Sequence, residues 1–352
     1  MKLLAFLFLL FSCKSKSNDV QLFMDEPYPE KLSDWNLFIG KLSELKPNKR
    51  VIPYKLNTPL FSDYTNKTRF IWMPEGKSAN FKKDDVFDFP IGTIFSKTFS
   101  FDDIHFNYTE QSKKQNLIET RLLIHTKTGW VALPYIWDEE MKDAKLEITG
   151  GRKQFERIDK ISNKKELIDF RIPNTNQCSG CHSSDKQITP IGPKARNLDN
   201  VLKYDNSEEN QLDHWSKIGY LKNYNSTIKQ ESMVDISSKG NLNSMARSYL
   251  EINCAHCHNP KGPANHTGLY FYFSETDPIK LGICKTPVAA GKGAGNLKYD
   301  IYPGKPSESI LYFRMNSLEP DIMMPEIGKT SLHKEGLFLI KKWIESEKGN
   351  CL

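Results

Sequence analysis

Two five-residue stretches carry the most definite chemistry in the chain: Cys178-Ser-Gly-Cys181-His182 and Cys254-Ala-His-Cys257-His258, both of the form Cys-x-x-Cys-His. On one helical turn, thiols at i and i+3 project from the same side, and each can form a thioether to one of the two vinyl groups of a haem. The adjacent histidine then sits beneath the iron as its proximal ligand. The spacing therefore predicts two covalently bound c-type haems, with Cys178, Cys181, Cys254 and Cys257 as attachment points and His182 and His258 on the irons. Zinc is the alternative, but the two cysteine pairs are separated by far more than the ~15–20 residues of a zinc ribbon, and each pair brings its own histidine.

An electron-transfer haem usually takes a sixth ligand, and a methionine thioether in that place raises the reduction potential. For the second iron the sequence points to Met324, in D-I-M-M-P-E-I-G, because Pro325 and Gly328 hold that stretch open as a loop between two helical patterns. Met323 and then Met315 stand behind it, and core filling is the ordinary fate of any methionine. For the first iron the segment 183–253 offers Met233, Met245 and His214, none in a Met-Pro loop, and a side chain lent by the second motif's half of the chain is the other source. The first iron is expected to be six-coordinate by one of these routes. His256 is expected to face solvent or a haem propionate, Lys194 and Arg196 either to neutralise propionates or simply to be solvated, and Y-F-Y-F at 270–273 to be a half-buried strand or a pocket wall.

The elements that must hold these residues differ along the chain. From about Val51 to Ile158 the pattern has period two: Phe95, Phe99 and Phe101 alternate with Ser and Thr, and I-E-T-R-L-L-I-H and W-V-A-L-P-Y-I-W flank a T-K-T-G turn. Past about residue 170, apolar positions recur three and four apart in N-S-M-A-R-S-Y-L-E-I, S-E-S-I-L-Y-F-R-M and E-G-L-F-L-I-K-K-W-I. Asn241 or Asn243 and Ser307 are the candidate N-caps, and Leu337, Ile340 and Ile344 the buried face of the last helix. The expected fold is α+β: an N-terminal β-rich sandwich or barrel followed by mainly helical, cytochrome c-like haem modules. The expected boundaries are a signal peptide at 1–12, a lipid tether at 13–30, the β-rich domain at 31–165, a first haem module at 166–235 and a second at 236–352.

The first twelve residues place Lys2 before an unbroken apolar run, which reads as a secretory signal rather than a membrane span of ~20 residues. Leu10-Phe11-Ser12-Cys13 resembles a lipobox, so Cys13 is expected to be acylated and to anchor an exported protein to a bacterial membrane on its periplasmic side. An ordinary signal peptide with an incidental cysteine is the alternative. Of 7 cysteines, four belong to the haem motifs and one to the lipid, which leaves Cys284 and Cys351; in an oxidising compartment they either form a disulfide or remain two free thiols. The composition, 352 residues with 38% hydrophobic, 26% charged and a net charge of +6, excludes disorder and collagen. The small positive surplus is spread out and gives no nucleic-acid patch.

The chain also resembles a family of exported bacterial dihaem c-type cytochromes of largely unassigned role. The resemblance covers almost the whole mature chain. It is carried by N-T-P-L-F-S-D-Y at 57–64, F-P-I-G-T at 89–93, A-L-P-Y-I-W at 132–137, N-T-N-Q-C-S-G-C-H at 174–182, P-I-G-P-K-A-R-N-L at 190–198, I-N-C-A-H-C-H-N-P at 252–260, C-K-T-P-V-A-A-G at 284–291 and M-M-P-E-I-G at 323–328. It implies the same haem cysteines and proximal histidines and no settled reaction. The function expected is periplasmic electron transfer with redox partner proteins. Two alternatives stand beside it: a dihaem peroxidase or oxidase with one open iron, and a protein whose β domain binds a partner or polymer while the haems relay electrons.

Overall fold

The computed structural model describes residues 19–102, 115–159, 161–204, 207–227, 231–288 and 291–351. The signal run, Cys13 and the start of the tether lie outside these residues. A six-stranded antiparallel sheet dominates, in the order β1 (Ile52–Pro53), β2 (Asn66–Trp72), β4 (Ile94–Asp102), β5 (Gln115–Thr126), β6 (Gly129–Trp137) and β7 (Ala144–Leu146). The short strand β3 (Ala79–Asn80) lies outside this sheet, and β8 (Gly151–Ile158) and β9 (Lys165–Ile172) form a separate hairpin.

Alternation along β4 explains the two faces of the sheet. One face carries Ile94, Ser96, Thr98 and Ser100 together with Phe70, Leu122, Ile124 and Leu133, and is buried under the N-terminal segment by Leu32, Trp35, Leu37 and Leu45. Trp35 donates its Nε1–H to the Tyr135 hydroxyl at 2.7 Å, and Trp137 donates to Thr120 Oγ1 at 2.9 Å, so the polar atoms on this face are partly paired. The other face carries Phe95, Lys97 and Phe99 and turns toward the two Cys-x-x-Cys-His motifs.

Beyond β9 the chain forms α1 (Thr175–Cys181), β10 (Ser183–Ser184), β11 (Gln187–Ile188), α2 (Ala195–Leu198), β12 (Val201–Tyr204), β13 (Ser207–Asn210), α3 (Gln211–Lys217), β14 (Leu221–Lys222), α4 (Leu242–Leu250), α5 (Ile310–Met315) and α6 (Lys334–Ser346). β14 pairs in parallel with β3, and Ala195, Leu198, Leu212 and Trp215 share one apolar core with Tyr54, Ile71 and Phe95. A second core joins α4 to α6 through Tyr249, Leu250, Leu337, Ile340 and Trp343.

The α+β expectation of mainly helical, cytochrome c-like modules after a β-rich domain is overturned. The structure is β-rich, 26% strand against 22% helix, with a large antiparallel sheet and few, short helices. The physical reason is the shortness of the periodic runs. Each of the three apolar patterns does contain a helix, but the longest, α6, has 13 residues and α5 only 6, and Pro306, Pro320, Pro325 and the glycines at 291–295 interrupt what lies between. The caps differ in detail: Asn241 caps α4 by accepting from Asn243 and Ser244 N–H, whereas Ser307 lies in a 3₁₀ turn and Ser309 precedes α5. Y-F-Y-F is not a strand; Phe271 is buried in an irregular segment.

Candidate haem centre

Both motifs form the single helical turn that thioether attachment requires. α1 opens with a capping box, in which Asn174 Oδ1 accepts from Gln177 N–H and Gln177 Oε1 accepts from Asn174 N–H. It closes with His182 N–H donating to the Cys178 carbonyl at 3.0 Å. α4 continues into a wider turn over Glu251–Ala255, after which Cys257 and His258 both donate to the Cys254 carbonyl, at 3.1 and 2.9 Å. Asn259 closes that turn by donating to the Ala255 carbonyl, and a Cβ at Gly262 would strike the Cys257 carbonyl, so only glycine lets the chain pass there.

The two turns abut. The Cys257 thiol reaches the Gly180 carbonyl at 3.7 Å, and Cys181 and Cys257 interact through their side chains. That contact lowers the Cys181 thiol and raises Cys257, while burial raises Cys178 and pushes Cys254 up to about 12. All four cysteines and both histidines line one largely apolar cavity of about 660 Å³, within the range of cofactor pockets. A smaller cavity of about 370 Å³ adjoins it across Cys181, Pro190, Ile191 and His256.

The imidazoles are prepared as ligands. His182 Nδ1 lies 2.8 Å from the Thr189 carbonyl, which can only accept, so Nδ1 carries the proton and Nε2 keeps its lone pair. His258 Nδ1 lies 3.2 Å from Thr267 Oγ1, whose own hydrogen goes to the Ala264 carbonyl; again Nε2 is left bare. Burial lowers His182 to about 3 and His258 to about 4, so both are neutral. Phe271 packs edge-on against His258 at 5.4 Å. Neutral rings held from Nδ1, with thiols on the same turn, fit a c-type haem. Among the described residues no three or more His, Cys, Asp or Glu side chains converge as a metal site.

Met323, Met324 and Met315 all line the large cavity, with Met324 N–H held by the Arg314 carbonyl at 3.0 Å. The candidates from 183–253 do not. Met233 is buried beside the smaller cavity, Met245 packs against the α4–α6 core, and His214 stacks on Tyr204 and pairs with Glu209 at 2.8 Å. His256 is half-buried and lines both cavities, and its Nδ1 is buried with no hydrogen bond among the described residues. Lys194 pairs with Glu251 at 2.9 Å, and Arg196 lies over the Phe273 ring at 3.5 Å; both are interior contacts rather than solvated ends. Cys284 and Cys351 are joined as a disulfide.

Sequence reasoning missed His333, which lines the cavity beside Tyr249, and missed the inward cations Arg69, Lys97 and Arg121. The available signal was a charged residue at core-facing positions of period-two strands, as in Phe95-Ser-Lys97-Thr-Phe99. Among the described residues no helix is long and apolar enough to cross a membrane. Set against protein-family models, curated proteins and solved structures, the chain matches none.

Proposed function

We propose that the protein is a dihaem c-type electron carrier, exported and tethered to a bacterial membrane by lipid on Cys13, that exchanges electrons with protein partners. One observation carries this reading: both Cys-x-x-Cys-His turns open on a single cavity with neutral imidazoles whose Nε2 atoms are free to bind a metal. Cys178 and Cys181 would hold one haem and Cys254 and Cys257 the other, with His182 and His258 as iron ligands and Met324 as a further ligand to the second iron. Bound haem supplies a reversible one-electron couple. The chain's own residues orient and shelter it: Thr189 and Thr267 fix the histidine rings, and Phe271, Ile310 and Leu311 exclude water. The contact between Cys257 and Gly180 brings the two attachment turns side by side, as rapid relay between two centres needs.

Intact mass of the exported protein under denaturing conditions is expected to exceed the polypeptide by two haems. A mass with no haem would sink the proposal. An enzyme with one open iron is the competing reading, favoured by the placement of Met233, Met245 and His214 away from the large cavity. High-spin ferric signals, cyanide binding without ligand displacement and turnover with hydrogen peroxide would decide for it.

A further inference from the structure

The sheet forms one wall of the large cavity, and that wall is unusually charged. Arg69 on β2 lies directly opposite Lys97 on β4, and Lys97 directly opposite Arg121 on β5, so the three cations form a row on one face. All three line the cavity. Lys67, two residues before Arg69 on β2, adds a fourth positive charge to the same face.

The row is poorly neutralised. Glu119 is fully buried and pairs with Arg121 through two hydrogen bonds, at 2.9 and 2.5 Å. Lys67 donates to the Thr65 carbonyl at 2.9 Å and lies over the Phe99 ring at 5.8 Å, and Arg69 donates to the Lys67 carbonyl at 3.3 Å; among the described residues neither forms an ion pair within 4 Å. The Lys97 ammonium makes no hydrogen bond among the described residues; it lies over the Phe99 ring at 5.1 Å, and Glu119, already paired with Arg121, acts on it from further away. Asp63 acts on Lys67 from further away, but its Oδ1 is already committed to Thr330 and Ser331. Four cations thus face two carboxylates, Glu119, held by Arg121, and Asp63, whose Oδ1 is held by Thr330 and Ser331. Like charges on neighbouring strands repel, and burying a cation without a partner is costly. Burial and the two flanking arginines accordingly pull Lys97 down to about 7.

We propose that Arg69, Lys97 and Arg121 form a carboxylate-binding row in the cavity wall, beside the first Cys-x-x-Cys-His turn. Planar guanidinium groups flanking an ammonium supply the charge-assisted donors that a carboxylate pairs with best. The position follows from the field of the row, since Arg121 and Lys97 are the cations that act on Cys178. Two sources offer this chemistry. One is a propionate of a haem held at Cys178 and Cys181, and it rests on the dihaem reading; the other is a free small carboxylate entering the cavity, and it does not.

Citrate binding, followed by calorimetry at low salt, tests the row in the full-length protein and in a Cys178→Ala/Cys181→Ala variant. If the occupant is a free carboxylate, citrate binds the unmodified protein, Lys97→Met weakens it by at least about tenfold, and Lys97→Arg retains it. If the occupant is a propionate, citrate binds only the Cys178→Ala/Cys181→Ala variant, and Lys97→Met in the haem-loaded protein lowers the midpoint potential of the first haem. Lys97→Met removes a repelled cation and is expected to melt no lower than the unmodified protein, so a lost signal does not report unfolding. Citrate affinities that Lys97→Met and Arg69→Gln leave within twofold overturn the row. So does an absence of citrate binding in both backgrounds together with an unshifted potential. A protein found to carry no haem removes the propionate source and leaves the citrate measurement on Lys97→Met as the test.

Discussion

His182 and His258 each follow a cysteine in sequence, but their readiness to bind a metal depends on two distant acceptors, Thr189 O and Thr267 Oγ1, that choose the tautomer. Met324 depends in the same way on its surroundings. In haem-loaded protein, Met324→Ala is expected to abolish the sulfur-to-iron charge-transfer band and to lower one of the two midpoint potentials, read by optical redox titration; if neither changes, the ligand is Met323 or Met315. His333 gives a residue-scale prediction that needs no haem. It stacks on Phe61 with ring centroids 4.2 Å apart, meets the Tyr249 hydroxyl at 3.1 Å, and is lowered by burial from 6.5 to about 4. Between those values the unfolded chain binds a proton at His333 that the folded chain does not. The stability contributed by the neutral ring is therefore complete above about pH 6.5 and is lost as pH falls toward 4. His333→Gln should flatten this acid limb by at most about 3 kcal/mol, measured as urea midpoints from pH 7 to 4.

The segment 57–64 is the element that ties the sheet to the haem-motif half of the chain. Thr58 N–H donates to Asn197 Oδ1, Phe61 N–H to Asn253 Oδ1 beside the second motif, and Asp63 Oδ1 accepts from Thr330 N–H, Ser331 N–H and Ser331 Oγ–H. Tyr64 then accepts from Lys334 N–H and donates to the Leu332 carbonyl. Asp63 thus fixes the far end of the loop that carries Met324. Asp63→Ala strands three donors around a buried site and should cost about 2–4 kcal/mol in urea denaturation; Asp63→Asn, which keeps an acceptor oxygen, should cost less. An Asp63→Ala loss no larger than that of a surface substitution would contradict this role. Strands were legible at this scale because Phe and Ser/Thr alternate in β4 and because the T-K-T-G turn separates the two apolar runs that became β5 and β6. The helical runs were legible one by one, and Leu337, Ile340 and Ile344 are indeed buried on α6. The failure of the helical-module expectation traces to the breakers between those runs, Pro306, Pro320, Pro325 and the glycines at 291–295, which periodicity within each run does not weigh.

At the scale of the whole molecule, the Cys284–Cys351 disulfide closes 67 residues of chain and holds the C-terminal tail to the segment around Cys284, whose N–H donates to the Ile301 carbonyl. By loop entropy its loss is expected to cost at most about 4 kcal/mol. Thermal melts of the oxidised protein should fall on adding reductant, and those of Cys351→Ser should not respond; equal sensitivity of the two would refute a stabilising bridge. The sequence by itself determined the chemistry that lives within one turn or one strand: thiols at i and i+3 with an adjacent histidine, aromatic residues alternating with polar ones, and prolines that end helices. These follow from backbone geometry over a few residues. Only the tertiary structure decided that the two motifs touch and share one cavity, that Asp63 and Asn253 bolt distant loops together, and that Arg69, Lys97 and Arg121 stand opposite one another on three strands. No local pattern encodes such meetings, because they depend on strand register and on the paths of long irregular loops, which are set by the packing of the whole chain.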